Sequence, residues 1–289
     1  MKFAVQHRTT YDYSSPVRDS FNDVRLCPVS DDFQICHEFS LNVSPDTPSR
    51  FRRLDFYLNQ VHHFEVIERH QQLNIVARST VETFIDTRDF TQSSPARELR
   101  GLERDEKYYD YLSESDRIRI LPLAIHKARE LVPVIDEVGQ AVETVMSYIY
   151  QAFHYDPCAT VVETSVVEVM ELQRGVCQDF AHVMITLCRA LGIPARYVSG
   201  YFYISKSARE RTADDNSVSH AWVECFLPRI GWVGYDPTHN RRVSNIYIKV
   251  AVGRDYSDVR PVSGTYLGES HAEMDVAVII QSLEASSEV

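Results

Sequence analysis

Apolar and polar residues alternate in several runs along the first 90 residues. Ile35, His37, Phe39, Leu41 and Val43 fall on one side of such a run, and Leu73, Ile75, Ala77, Ser79 and Val81 on one side of another. Phe3 and Val5 open a third. A period of two marks a strand with one buried face. Turn residues such as Ser44-Pro45-Asp46-Thr47-Pro48 separate the runs. The spacing predicts a β-rich, sandwich-like domain over residues 1–90.

The pattern then changes. Residues 88–116 are charged and weakly periodic, which predicts an exposed connector with some helix. Helices are predicted from Ile120 to Leu131, before Pro133, and along Val138, Ala141, Val142, Val145, Met146, Ile149 and Phe153, which recur at helical spacing. A shorter helix is predicted from a cap at Thr164 or Ser165 to Arg174, stopped by Gly175. The next carries Phe180, Val183, Met184, Leu187 and Leu191 on one stripe, starts near Cys177, and ends at Gly192 and Pro194. Strand-like segments follow at Ala195 to Ile204, Ser219 to Leu227 and Gly231 to Asp236. Residues 91–289 therefore read as connector, helices and an α+β core.

Composition narrows the function classes. With 44% hydrophobic and 25% charged residues, the 289-residue chain can bury a sizeable core. A formal charge of −11 argues against a nucleic-acid partner, which would call for a basic face. No apolar run is long enough to span a bilayer, so no membrane partner is expected. The opening Met1 to Tyr13 lacks the apolar stretch of a secretory signal, and a cytoplasmic location is expected. The six cysteines include no CxxC pair and are expected to be free thiols.

One of those thiols stands apart. A helix N-terminus favours the thiolate, and Cys177 alone is read at such a position. Cys188 lies on the same face but roughly 16 Å along the helix, and reads as core. Cys225 falls on the apolar side of its strand, and Cys27, Cys36 and Cys158 carry no helix-start signal. A nucleophile needs a base, and the base an orienting group. His182 points about 140° around the helix from Cys177 and reads as structural. His220 shares a strand face with Trp222 and Glu224, and Asp236 shares one with Trp232 and Gly234. A register with His220 opposite Asp236 and Trp222 opposite Gly234 leaves a three-residue loop between Phe226 and Ile230. In it Gly234 makes room for the Trp222 indole, and a two-residue slip is expected to part base from carboxylate.

The motifs around these residues resemble the bacterial transglutaminase-like superfamily. Gly175-Val176-Cys177-Gln178-Asp179-Phe180-Ala181-His182 is similar to its nucleophile motif. Leu187 to Tyr201 resembles the helix and strand that follow, Ser219-His220-Ala221-Trp222-Val223-Glu224 the histidine motif, and Gly231 to Thr238 the aspartate motif. Tyr155-Asp156-Pro157, Gly253 to Asp258 and Arg25-Leu26-Cys27-Pro28 resemble further segments of the same branch. Two departures lie outside the triad: Tyr57-Leu58-Asn59-Gln60 stands where that branch often has Phe-Gly-Asn, and Cys158 where a glycine is common.

The resemblance implies a papain-like, transglutaminase-like core with Cys177 as nucleophile, His220 as base and Asp236 as orienter. The expected reaction is acyl transfer from an amide of a peptide or protein substrate through a thioester, ending in hydrolysis. Protein cross-linking is the rival enzyme reading, and a non-catalytic peptide-binding module the rival of another class. Tyr155 is a candidate oxyanion donor beside the Cys177 N–H. Tyr201 and Trp222 are candidate cleft walls, with core packing the alternative for each. No cofactor and no metal are expected, since no CxxC or HxxxH spacing supports zinc on Cys177 and His220.

Overall fold

The computed structural model describes residues 1–204 and 219–283. The chain opens with β1 (Lys2–Val24), β2 (Gln34–Ser44), β3 (Arg50–Leu54), β4 (Gln60–Val66) and β5 (His70–Thr83). β1 is broken by an irregularity between Asp12 and Val17. Its first half pairs with β5, which in turn pairs with β2, and its second half pairs with β4 and through it β3. Side chains from both halves meet in one core that includes Tyr13, Val24, Val43, Phe64, Leu73 and Ile75. β2 departs from the simple alternation. A bulge between Cys36 and Glu38 inserts His37, so Ile35 is exposed while Phe39, Leu41 and Val43 turn inward.

A charged segment then leads to α1 (Glu106–Tyr109), α2 (Pro122–Leu131) and α3 (Val138–Ala152). The segment is less solvated than its charge predicts. Tyr108 packs 4.5 Å from Phe226 and Tyr111 5.1 Å from Trp232, ring to ring. Next come β6 (His154–Tyr155), α4 (Val166–Leu172), β7 (Arg174–Gly175) and α5 (Cys177–Ala190). Ser165 caps α4 through a reciprocal bond with Glu168, as its sequence predicts. The helix ends at Gln173, in the left-handed region at φ 50°, two residues before Gly175.

The core sheet is built from β8 (Ala195–Phe202), β9 (His220–Leu227), β10 (Gly231–Asp236), β11 (Arg241–Arg242) and β12 (Tyr247–Gly253), in the order β11-β10-β9-β8-β12. Ala221, Val223, Cys225 and Leu227 pack against the fully buried stripe of α5, including Val183, Met184 and Leu187. Each valine, leucine or methionine among them contributes about 1.5–3 kcal/mol by leaving water.

The chain closes with β13 (Val262–Leu267) and β14 (Ala272–Ser282), and both pair with β1. The expected division at residue 90 leaves these strands apart from the sheet they complete. Their sequence hides the partnership because β13 is half exposed and β14 mixes charge with aliphatic residues.

β12 is an edge strand, and the N-terminal part covers its free edge. The Gln34 amide bonds both backbone groups of Lys249, at 2.8 and 2.7 Å, and the Asn59 amide both of Val252, at 2.7 and 2.8 Å. Phe3, Val5, Val81 and Val278 add an apolar seam against Tyr201, Ile248 and Val250. Among the described residues no helix is long and apolar enough to cross a membrane.

Candidate active site

Cys177 is the first residue of α5, where amide N–H groups lack helical partners and the dipole is positive. The buried Asp179 carboxylate fixes this end. It accepts from Val176 N–H at 2.9 Å and Thr160 Oγ at 2.6 Å. Burial raises the Asp179 pKa against the pull of those two bonds. Gly175 is required just upstream, because a Cβ there would lie 2.5 Å from Asp179 Oδ2.

His220 begins β9, at the end of the sheet nearest this helix start. Its Nε2 lies 2.8 Å from Asp236 Oδ2 at the end of β10. Cys177 lies close enough to the imidazole to act on its pKa, and with Nε2 taken by Asp236, Nδ1 is the nitrogen left free to face the sulfur. Burial alone would lower the His220 pKa, but its interactions with Asp236 and the neighbouring Cys177 outweigh it and raise it to about 10.

Asp236 is fully buried and acts as a hub. Its Oδ2 accepts from His220 Nε2, His239 Nδ1 and Tyr247 O–H, each at 2.8 Å, and its Oδ1 from the N–H of Thr238 at 2.8 Å. Burial disfavours the carboxylate, yet the two histidines hold its pKa well below the usual carboxylate range. His239 was passed over in the sequence, although its place three residues after an aspartate that starts a turn could have marked it. Tyr247 was not, because nothing near Asp236 in sequence points to β12.

The register of β9 and β10 differs from the expected one by two residues. Gly231 pairs with Leu227, Gly234 with Glu224 and Tyr235 with Val223. The loop is still three residues, but it spans Pro228 to Ile230. Arg229 and Gly231 take positive φ there, at 69° and 97°. His220 thus reaches Asp236 along a diagonal of the sheet, a distance that a long side chain covers. The indole of Trp222 lies over Gly200, not Gly234: a Cβ on Gly200 would sit 2.5 Å from its Cη2 and 2.1 Å from the Ile248 carbonyl oxygen. The Gly234 hydrogen faces Val243 instead.

The other candidate side chains fall in three kinds of place. Tyr155 is 47% exposed and near Cys177: the short β6–β7 bridge sets it opposite Gly175. Its pKa is raised by burial and then by Cys177 and Asp179. Tyr201 is 2% exposed and bonds His7 Nδ1 at 3.0 Å in the seam with the N-terminal sheet, so it walls no cleft. Trp222 is 1% exposed and packs beneath His220, with ring centres 6.2 Å apart. His182 accepts from Tyr256 N–H inside the core, and burial lowers its pKa to about 4. Cys188 and Cys225 face each other at 3.8 Å in the interior.

Arg196 lies across from Glu224 on the neighbouring strand and bonds it at 2.6 Å, and Lys249 Nζ reaches the other Glu224 oxygen at 2.5 Å. Burial would raise the Glu224 pKa, but Lys249 and Arg196 bring it down to about 2. The donor atoms of His220, Asp236 and His239 lie within 4.8 Å of one another. They could converge on a cation only by giving up their mutual hydrogen bonds.

Comparison with known proteins gives this arrangement its family. The transglutaminase-like superfamily matches residues 126–237, and the bacterial transglutaminase-like N-terminal region matches residues 3–82. An uncharacterized protein from Mycobacterium leprae is 32% identical over 287 residues, which is 98% of this chain and 99% of its own. A protein-glutamine gamma-glutamyltransferase from Pseudomonas aeruginosa is 28% identical over 139 residues, 43% of this chain and 20% of its own. The crystal structure of a candidate cysteine protease from Cytophaga hutchinsonii shares the fold, with a TM-score of 0.78 at 24% identity over 100% of this chain and 92% of its own. With two family regions in order and a relative matched end to end, the chain belongs to the transglutaminase-like superfamily and carries its bacterial N-terminal region.

Proposed function

We propose that the protein is a cysteine-dependent acyl-transfer enzyme that opens an amide of a peptide or protein through a thioester and finishes by hydrolysis. The observation that carries this reading is His220 bonded to the buried Asp236 and close enough to Cys177, at the start of α5, for the two to act on each other's charge. Cys177 is the nucleophile, His220 the base and Asp236 the group that orients it.

The thiol proton passes to His220 Nδ1 and the sulfur attacks the amide carbonyl. The oxyanion that forms faces the Cys177 N–H at the positive end of α5, with the Tyr155 hydroxyl as the second donor. The imidazolium returns its proton to the leaving nitrogen as the C–N bond breaks, leaving a thioester. Water, deprotonated by His220, then attacks the thioester, releases the acid and restores the thiol. An amine in place of water gives cross-linking, the reading favoured by the partial likeness to the Pseudomonas aeruginosa glutamyltransferase.

Iodoacetamide labelling with peptide mapping tests the assignment, on wild type and His220→Ala from about pH 5 to about pH 9. Cys177 labels faster than the other five cysteines at neutral pH, and the variant slows it by about tenfold or more. Labelling no faster than the exposed Cys158 would instead favour a non-catalytic peptide-binding module. A glutamine peptide incubated with and without a primary amine then separates hydrolysis from amine transfer by product mass.

A further inference from the structure

Arginines flank the proposed site, and one of them is unpaired. Arg174, next to Gly175, has Asp156 at 3.9 Å, and Arg242 pairs with Glu143 at 3.1 Å. Arg241 is exposed on β11, and its guanidinium has no carboxylate partner among the described residues. The chain holds 41 acidic residues against 30 basic ones, so a bare cation here is not for want of carboxylates.

The register of β11 sets Arg241 directly opposite Asp236, so both side chains leave the same face of the sheet. Asp236 is already taken by His220, His239 and Tyr247, and the guanidinium lies instead over the Phe202 ring, 5.9 Å from its centre. Phe202 packs 4.7 Å from His239 and 5.8 Å from His220, ring to ring. The charge therefore stands within roughly 12 Å of the imidazole, the reach of about three extended residues. Burial and Asp236 raise the Tyr247 pKa, and Arg241 is close enough to oppose them.

The reaction fixes which half of a substrate meets this charge. The amide oxygen turns to the Cys177 N–H and Tyr155, while the amide nitrogen must take its proton from His220. The leaving portion therefore runs out past His220, toward Phe202 and Arg241. A guanidinium is a two-pronged donor that fits a carboxylate. Resting on the assignment of Cys177 and His220 above, we propose that Arg241 selects substrates whose leaving portion carries a carboxylate within about three residues of the amide that is opened. Either an acidic side chain or a chain terminus supplies that group.

Three alkylating peptides probe this without a known substrate. Bromoacetyl-glycylglycine carries a terminal carboxylate, bromoacetyl-glycyl-aspartic acid α-amide a side-chain one, and bromoacetyl-glycyl-asparagine amide none. Each labels a thiol with loss of bromide, and peptide mapping reads Cys177 against the exposed Cys158. At low salt the acidic reagents gain on the neutral one at Cys177 by about twofold to fivefold in wild type, the scale of one exposed ion pair, and lose that gain in Arg241→Gln. High salt removes it as well. The acid with the larger gain identifies the source of the carboxylate. The proposal is overturned if the gain is the same in Arg241→Gln, or if wild type shows none at Cys177 beyond that at Cys158, a comparison that needs no variant to fold. If the neutral reagent labels Cys177 no faster than Cys158, the acyl-transfer reading itself fails, and this assignment with it.

Discussion

His220 and Asp236 are joined diagonally across two strands, at 2.8 Å, and not as a directly opposed pair. The carboxylate therefore depends on its other partners for its place, and Tyr247, His239 and the turn N–H groups hold it from the remaining sides. Asp236→Asn keeps the shape but offers an amide N–H toward donors that need an acceptor. The expected result is a fall in kcat of about 10²–10⁴-fold, with a modest change in KM. Steady-state kinetics on any amide substrate that emerges checks this. A variant with nearly full kcat would remove Asp236 from the proposed triad.

The raised pKa of His220 makes stability depend on pH in a definite direction. A group whose folded pKa lies above its unfolded value contributes its stabilisation fully below the unfolded value, about 6.5, and loses it as pH rises through about 10. His220→Gln lacks this contribution. The stability difference between wild type and variant, measured by urea unfolding, should be largest near pH 6. It should shrink by an amount on the order of a few kcal/mol by pH 10. A constant difference across that window would mean that the imidazolium is not held by Asp236 and Cys177.

His239 shares Asp236 Oδ2 with His220, and the two rings meet edge to face at 5.3 Å. Its role under the proposed mechanism is positional: one more donor that keeps the carboxylate charged and aimed. His239→Ala should lower the rate of Cys177 alkylation by about threefold to tenfold and shift its pH profile. Asn places an amide donor near the position of Nδ1, so His239→Asn should restore most of both. If Asn and Ala behave alike, the His239–Asp236 bond has no part in tuning His220.

The elements that carry the proposed chemistry were the most legible, for a physical reason. Period-2 and period-3.6 patterns are strong where apolar residues keep to one face, as in α3. Helix α5 and strand β9 are buried nearly all round, yet their aliphatic residues still hold to one face and their polar ones to the other. The face assignment of His220 and Asp236 needed only that periodicity. The register needed more, because Arg229 takes a positive φ that its residue type does not announce. Gly200 and Gly234 looked interchangeable as clearance for Trp222, yet only the three-dimensional pairing sets Gly200 under the indole. Strands β13 and β14 were illegible because their partner, β1, lies more than 200 residues away in sequence.

Leu58 tests how the two halves are joined. It stands where the family often places glycine, and it takes a left-handed φ of 65° with 72% of its surface exposed. A leucine in that region costs about 1–2 kcal/mol, and its exposed side chain offers little packing in return. The turn is kept because its next residue, Asn59, must reach both backbone groups of Val252 on the edge of β12. Glycine removes the steric cost but adds about 0.5–1 kcal/mol of unfolded-state entropy. Leu58→Gly should therefore stabilise the protein by a net ~0.5–1 kcal/mol in urea unfolding, while Leu58→Ala leaves it nearly unchanged. Asn59→Ala, which uncovers two buried groups of the edge strand, should cost about 2–4 kcal/mol. A loss of stability in Leu58→Gly would show that the leucine side chain itself helps to hold the N-terminal sheet against the core.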